Sequence, residues 1–413
     1  MTSADNQRHP AGWLWPALRS NRPLGPLKAA SFIEWRYYAI LAPAFHGIVG
    51  LALVNPERRF GLVAEGGLLL IIAGLLDRPE LPADAAAPAP SLMAPGPASL
   101  CWMHLFPTRT CSFDTPTPGS VRAGADGCCF ALEHDDAASV RIEIEAGAGL
   151  HLRLTHEGLA GVALPPARGR DLTGPFGSKA FGAHWTVDCP APVARSEGSL
   201  TLGGGLLADL AAAPGGPPGY ATAALRRQVG AGTSQWTWAG ASGYYEHSFG
   251  VRPLPLHGWD FLFVPDAASG SAAVLQTYRG SRALRYLDVC WRQDGRAHQH
   301  RFAADDLTLT WPEQVQDPVL GVRRPRVRRI AAADADYRLT LTNRVLHRLP
   351  LLRRQKLAVR HFFISEEIGI ADWTLTDAAG RVLVAARGLP CGGELAHFRL
   401  RAPRVAAGRA DAL

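Results

Sequence analysis

The 413-residue sequence predicts an all-β fold of barrels or sandwiches. Short apolar segments alternate with polar residues at a period of two, as half-buried strands do. Gly, Pro and Asp interrupt these segments at short intervals, which is typical of turns between strands. Long amphipathic helices are scarce, and residues 221–228 and 343–359 are the best candidates. This combination favours an all-β protein with few short helices.

The clearest predicted element is a hairpin over residues 139–156. Val and Ile alternate with charged residues there, the Gly-rich sequence AGAG turns the chain, and Leu then alternates in the same way. We predict further strands at residues 33–41, 48–54, 61–72, 199–203, 234–239, 258–264, 273–278, 283–292, 307–311, 337–342, 358–364, 372–376 and 381–385.

The chain is long enough for two or three domains at roughly 100–200 residues each. An aromatic strand stands near the start of each half, FIEWRYYAI at residues 32–40 and GWDFLFV at residues 258–264. We therefore predict two related β-domains, residues 1–252 and 253–413. Residues 82–99 of the first domain, rich in Ala and Pro, are predicted to form a mobile loop.

Composition and motifs exclude several protein classes. With 47% hydrophobic and 19% charged residues, the chain is neither intrinsically disordered nor collagen-like. It contains no GxxxxGK[ST], HExxH or GxSxG sequence, so nucleotide-dependent and zinc-protease functions have no support. The first ten residues do not resemble a secretory signal. The longest apolar run, residues 62–76, is too short to span a membrane and contains Glu65. Seven Cys without a CxxC pair favour reduced thiols, hence a cytoplasmic protein.

Basic residues are concentrated in residues 320–361, where twelve Arg or Lys oppose two Asp. Leu and Val are interleaved with them, which suits peripheral contact with an anionic surface such as the inner membrane. A solvated basic face is the alternative. We expect no nucleic-acid partner, because no RNA- or DNA-binding motif accompanies the Arg residues.

The segment QWTWAGASGYYEHSFG, residues 235–250, carries the strongest chemical signal. As a strand, it places Tyr244, Glu246 and Ser248 on one face, and Tyr245, His247 and Phe249 on the other. Whichever face is interior, an ionisable group lies among aromatic rings. A carboxyl in such surroundings is held neutral by desolvation and can act as a general acid. A buried polar residue with only a structural role is the alternative.

A second constellation is EWRYY at residues 34–38. Alternation puts Glu34, Arg36 and Tyr38 on one face, with Trp35 and Tyr37 on the other. Glu34 and Arg36 could form an internal ion pair or position a polar ligand group. A contact between domains is an equally good explanation.

These residues resemble a known superfamily. The GYYEHSFG motif, the GWDF sequence at residues 258–261 and the EWRYY strand are together similar to carotenoid 1,2-hydratase and the AttH-like proteins. Plant-type tocopherol cyclases and fungal lipocalin-like Diels–Alderases look like relatives. The resemblance implies two consecutive lipocalin-like β-barrels that hold an apolar, often polyene, substrate. It also implies hydration or cyclisation without a metal or nucleotide, and it puts the acidic motif position at Glu246.

The resulting hypothesis is a cofactor-independent enzyme that acts on an apolar polyene, terpenoid or polyketide. It would either cyclise this substrate, including by a pericyclic reaction of the Diels–Alder type, or hydrate it. Aromatic walls would exclude water and fold the substrate into a reactive conformer. Glu246 would donate the proton, supported by Tyr244 and His247. The predicted substrate-binding residues are Trp35, Tyr38, Trp236, Trp238, Tyr245 and Trp259. The alternative is a non-catalytic carrier of an apolar lipid at the membrane surface, because the fold alone cannot separate the two.

Overall fold

The computed structural model describes residues 32–54, 66–77, 98–147, 149–159, 161–169, 184–212, 219–251, 258–278, 284–316, 323–355 and 361–399. Most of these residues lie in antiparallel strands, which confirms the predicted all-β fold. The described part of the chain has two α-helices, α1 (Gly204–Ala212) and α2 (Ala223–Val229). Thr108–Thr110 and Ala304–Asp306 form single turns of 3-10 helix.

The first sheet contains thirteen of the described strands. They are β1 (Phe32–Leu41), β2 (Phe45–Val54), β3 (Gly67–Leu76), β4 (Ser99–Pro107), β5 (Cys111–Phe113), β6 (Val121–Ala125), β7 (Cys128–His134), β8 (Val140–Ala146), β9 (Leu150–Gly158), β10 (Leu164–Gly169), β11 (His184–Gly203), β12 (Tyr220–Ala221) and β13 (Thr233–Val251). Their order is β12-β4-β3-β2-β1-β13-β11-β9-β8-β7-β6-β5, with β10 also paired to β11. The aromatic strands β1 and β13 are therefore neighbours.

The second sheet contains nine of the described strands. They are β14 (Trp259–Asp266), β15 (Ser271–Tyr278), β16 (Arg285–Gln293), β17 (Arg296–Phe302), β18 (Leu307–Gln316), β19 (Arg323–Ala333), β20 (Tyr337–Gln355), β21 (His361–Asp377) and β22 (Val382–Arg399). Their order is β17-β16-β15-β14-β22-β21-β20-β19-β18. Two curled sheets of this kind agree with two lipocalin-like barrels.

Several predicted elements are found where the sequence puts them. The hairpin over residues 139–156 is β8 and β9, with alternate residues buried in both strands. The helix predicted at residues 221–228 is α2, which the Thr222 side chain caps at its N-terminus. Residues 82–97 of the predicted loop and the division between residues 252 and 253 lie outside the described residues. The two-domain division stays a prediction.

The predicted helix at residues 343–359 is wrong. Residues 343–355 belong to β20, and residues 356–359 lie outside the described residues. From Leu339 to Val345 every second residue is buried, which is the period of a strand. Arg and Leu are good helix formers, but their intrinsic preference for a helix is weak. The burial gained when β20 pairs with β19 and β21 outweighs it.

The basic stretch is partly internal. Arg324, Arg328 and Arg348 are buried inside the second sheet. Arg328 donates to both oxygens of Asp260, at 2.7 and 3.1 Å, and also to Glu367, while Arg348 pairs with Glu367 as well. These three Arg are therefore unavailable to an external surface. Arg323, Arg329, Arg338 and Arg344 are exposed.

An apolar layer joins the two sheets, and we call it the intersheet layer. From the first sheet it includes Tyr37 and Tyr244, and from the second sheet Phe261, Phe263 and Leu351. The opposite face of β1 and β13 lines the interior of the first sheet, where a separate apolar cluster forms. Among the described residues, no helix is long and apolar enough to cross a membrane.

Candidate functional site

Strand β13 presents two different faces, as alternation predicts. Tyr244 lies in the intersheet layer, whereas Tyr245 belongs to the apolar cluster inside the first sheet. Glu246 follows the first face, and His247 follows the second. Glu246 and His247, both predicted to be catalytic, are therefore not brought together.

The carboxyl of Glu246 is buried and receives hydrogen bonds from neutral groups. Tyr244 Oη donates to its Oε2 at 2.8 Å, and Gln276 Nε2 donates to the same oxygen at 2.9 Å. The Ser248 hydroxyl donates to Oε1. Within the described residues, Glu246 forms no ion pair. Neutral donors stabilise a carboxylate less than a cation would, so its charge is poorly compensated.

Burial is the main reason that the pKa of Glu246 is raised from 4.5 to about 7. The hydrogen bonds from Ser248 and Tyr244 act in the opposite direction, while the charges of Glu394 and Asp188 raise the pKa further. Near neutral pH this carboxyl is present in both forms, which suits a general acid.

Two more carboxyls reach the intersheet layer from the second sheet. Glu366 of β21 and Glu394 of β22 are direct cross-strand partners, and both are buried. Tyr37 Oη donates to Glu366 Oε2 at 2.5 Å, and Trp259 Nε1 donates to Glu394 Oε1. Burial, followed by the charge of Glu394, raises the pKa of Glu366 well above its ordinary value.

Aromatic rings surround these carboxyls. Tyr244 stacks on Phe263 with ring centroids 4.7 Å apart, and its ring lies 5.6 Å from that of Phe261. Tyr37 packs edge-on against Tyr244 at 6.2 Å and against Phe263 at 5.8 Å. Trp35 and Trp259, both predicted to bind substrate, are half-buried against this layer. The faces of such rings attract positive charge.

The opposite face of β1 and β13 carries an ionic cluster. His247 Nε2 donates to Glu34 Oε1 at 2.9 Å, and Arg36 Nη2 lies 3.8 Å from the same oxygen. The predicted ion pair between Glu34 and Arg36 is thus present. Arg36 Nη1 also donates to the nitrogen Nε2 of His134 at 2.9 Å, and burial together with Arg36 lowers the pKa of His134 to about 3. His134 therefore accepts this bond in its neutral form.

The remaining predicted substrate-binding residues also lie inside the first sheet. Tyr38 and Tyr245 stack with ring centroids 4.6 Å apart. Trp238 stacks on Phe45 at 5.5 Å, and Trp236 Nε1 donates to Asp77 at 2.7 Å. Of the nine predicted site residues, the structure collects Tyr244, Glu246, Trp35 and Trp259 at the intersheet layer. The other five face the first sheet's interior: Tyr38, Trp236, Trp238, Tyr245 and His247.

The sequence analysis missed Tyr37, Gln276, Glu366 and Glu394 as members of this site. A signal was present in HFFISEEIGI, residues 361–370, where two adjacent Glu interrupt an apolar strand. A charged residue in such a run faces a buried partner or a site. No comparable signal marks Gln276, because one amide in a strand is common.

Comparisons with known proteins establish the fold of the chain. No family model and no curated protein matches it. Among solved structures, CghA is similar at a TM-score of 0.53 and 13% identity, covering 90% of this chain and 89% of that chain. CghA with Sch210972 gives 0.52 and 12%, covering 89% and 88%. Kievitone hydratase from Nectria haematococca gives a lower score of 0.46 and 9% identity, covering 89% of each chain. The chain therefore has the fold of CghA, in agreement with the two consecutive barrels that the resemblance to the carotenoid 1,2-hydratase and AttH-like superfamily predicts.

Proposed function

We propose that this protein is a cofactor-independent enzyme that cyclises or hydrates an apolar, unsaturated small molecule, with Glu246 as the proton donor. One observation carries the proposal: a carboxyl with a pKa of about 7 is buried among aromatic rings and neutral hydrogen-bond donors. CghA, which has this fold, has been crystallised with the compound Sch210972, and that complex supports a small-molecule substrate here.

The chemistry begins with the neutral form of Glu246. Its Oε2 keeps the bonds from Tyr244 and Gln276, and the proton resides on Oε1 beside the Ser248 hydroxyl. Transfer of this proton to a carbon–carbon double bond leaves a carbocation on the substrate and a carboxylate on Glu246. A second double bond then closes a ring, or water adds to give an alcohol. The rings of Tyr244, Phe261 and Phe263 stabilise the cation through their faces.

An apolar, uncharged substrate suits this site best. Glu246 and Glu366 have no ion-pairing cation among the described residues, so an anionic substrate group would find no cationic partner beside these two carboxyls. Aromatic walls exclude water and fold a flexible chain into a reactive conformer. A pericyclic cyclisation would use the same walls without proton transfer.

The test is mass spectrometry of apolar extracts from producing cells. Strains with the wild-type protein, with Glu246→Gln, with Glu157→Gln and without the protein are compared. Glu157 is an exposed glutamate of β9 and serves as the matched control. General acid catalysis contributes about 10²–10⁴-fold, so Glu246→Gln should lower one product by at least about 100-fold.

The other outcomes decide between alternatives. Product loss only in the strain without the protein would exclude Glu246 as the acid and favour a cyclase that acts by shape. An unchanged product profile in every strain would contradict the enzyme proposal. A lipid carrier at the membrane surface, using the exposed basic residues of β19 and β20, would then be the better explanation.

A further inference from the structure

We propose that Glu366 and Glu394 share one proton and together accept the proton that the reaction releases, which makes them the base that complements Glu246. This inference rests on the proposed function and adds a second pair of reacting groups to the same site. Neither residue belongs to the GYYEHSFG motif or to the aromatic strands from which the site was predicted.

The first support is the placement of the two carboxyls. Glu366 and Glu394 are direct cross-strand partners on β21 and β22, and both are buried. Burial, followed by the charge of Glu394, raises the pKa of Glu366, because two neighbouring buried carboxyls cannot both ionise at low cost. We therefore assign one proton to the pair, so that one carboxyl is neutral and the other remains an acceptor.

The second support is an oxygen that lacks a donor. Glu366 is 3% exposed, and its Oε1 receives no hydrogen bond from an N–H or O–H group of the described residues. Its other oxygen accepts from Tyr37. A buried carboxylate oxygen without a donor is costly, whereas a proton shared with Glu394 satisfies it. The carboxyl of the pair that stays ionised can take up a further proton.

The third support is the position of the pair relative to Glu246. Tyr37 and Glu246 are cross-strand partners on β1 and β13, and the Tyr37 hydroxyl binds Glu366. The rings of Tyr37 and Tyr244 are in edge contact, and the Tyr244 hydroxyl binds Glu246. Adjacent tyrosines thus hold the two acidic groups at the same layer. Glu246 and Glu366 also interact electrostatically, because the charge of Glu246 raises the pKa of Glu366.

The proton balance of the reaction requires such an acceptor. After Glu246 has formed a C–H bond, ring closure leaves a cation that must lose a neighbouring proton. That C–H bond breaks, its electron pair forms a new double bond, and the proton goes to the Glu366–Glu394 pair. In hydration, water adds to the cation and its extra proton goes to the same pair. A proton then returns to Glu246, and the enzyme is restored.

The shared proton can be tested without a substrate. Nuclear magnetic resonance follows the pH titration of glutamates labelled at the side-chain carboxyl carbon, with Glu366→Gln and Glu394→Gln assigning the two signals. The titratable groups facing Glu366 include Tyr37 on β1, Cys101 on β4 and Glu246 on β13, besides Glu394 on β22. We expect Glu394→Gln to move the titration of Glu366 down by about one to three pH units.

A merely structural tie between β21 and β22 would leave that titration unchanged, and this result would overturn the proposal. Glu157→Gln is the control that should move neither signal. Thermal unfolding of each variant checks that the fold is kept, because Gln preserves the shape and one hydrogen bond of Glu.

The role in the reaction is tested with the double variant Glu366→Gln/Glu394→Gln in the producing cells. Either single variant leaves one carboxylate, so both must be replaced. We expect the product to fall by about 100-fold, as for the loss of a general base. Wild-type product from a folded double variant would overturn the acceptor role. If removing the whole protein also leaves the products unchanged, the proposed function fails, whereas a joint titration of the two signals would still support the shared proton.

Discussion

The raised pKa of Glu246 makes a prediction about stability that needs no substrate. In the folded protein this pKa is about 7, against an ordinary value of 4.5. Below pH 4.5 the group is protonated in both the folded and the unfolded chain, and it costs nothing. Above pH 7 it is ionised in both states, and the folded state must bury a charge. Each pH unit between the two values corresponds to about 1.4 kcal/mol, so the cost at pH 8 is roughly 3 kcal/mol.

Glu246→Gln removes this ionisation. We expect the variant to gain roughly 3 kcal/mol in unfolding free energy over wild type when the pH rises from about 5 to about 8. Urea denaturation of both proteins at the two pH values measures this gain. Glu157→Gln, exposed on β9, should show no such gain. A difference between wild type and Glu246→Gln that is the same at both pH values would refute the assignment of a neutral buried carboxyl.

Two further predictions concern the second sheet. Arg328→Met removes a cationic partner from two buried carboxylates, Asp260 and Glu367, and should lower the free energy of unfolding by about 3–5 kcal/mol, as measured by urea denaturation. Arg329→Met, on the exposed face of the same strand, should change it by no more than about 0.5 kcal/mol. Similar losses in both variants would contradict the buried network. Gly392→Ala would bring a Cβ to 2.3 Å from the Phe263 ring, and thermal unfolding should show a loss of about 1–3 kcal/mol in the free energy of unfolding. Gly205→Ala, in open space on α1, should be neutral or stabilising. A wild-type stability of Gly392→Ala would show that the intersheet packing is loose.

Local alternation predicted which residues share a face. It gave the correct partition of residues 34–38 and 244–249, because the side chains of a strand alternate strictly. It also separated Glu246 from His247, although both were predicted to act together. Successive side chains of a strand point to opposite faces, so Glu246 and His247 lie on opposite sides of β13. Both residues are buried, because the intersheet layer covers one side of β13 and the interior of the first sheet covers the other.

Contacts between distant strands could not be predicted in this way. Glu366 and Glu394 reach Tyr37 and Glu246 only because β21 and β22 pack across the first sheet, and no local pattern encodes that packing. The helix expected at residues 343–359 failed for a related reason. β20 is flanked by β19 and β21, so its neighbours, rather than its own residues, decide its conformation.

Adjacent residues of the second sheet belong to different environments. On β21, Glu366 faces the intersheet layer and Glu367 binds Arg328 and Arg348; on β14, Trp259 and Asp260 are divided in the same manner. Inserting or deleting one residue in β21 would exchange its two glutamates, putting a carboxylate meant for Arg among aromatic rings. Substitutions can therefore change these side chains one at a time. Insertions and deletions keep this partition only where they fall in the turns between the strands.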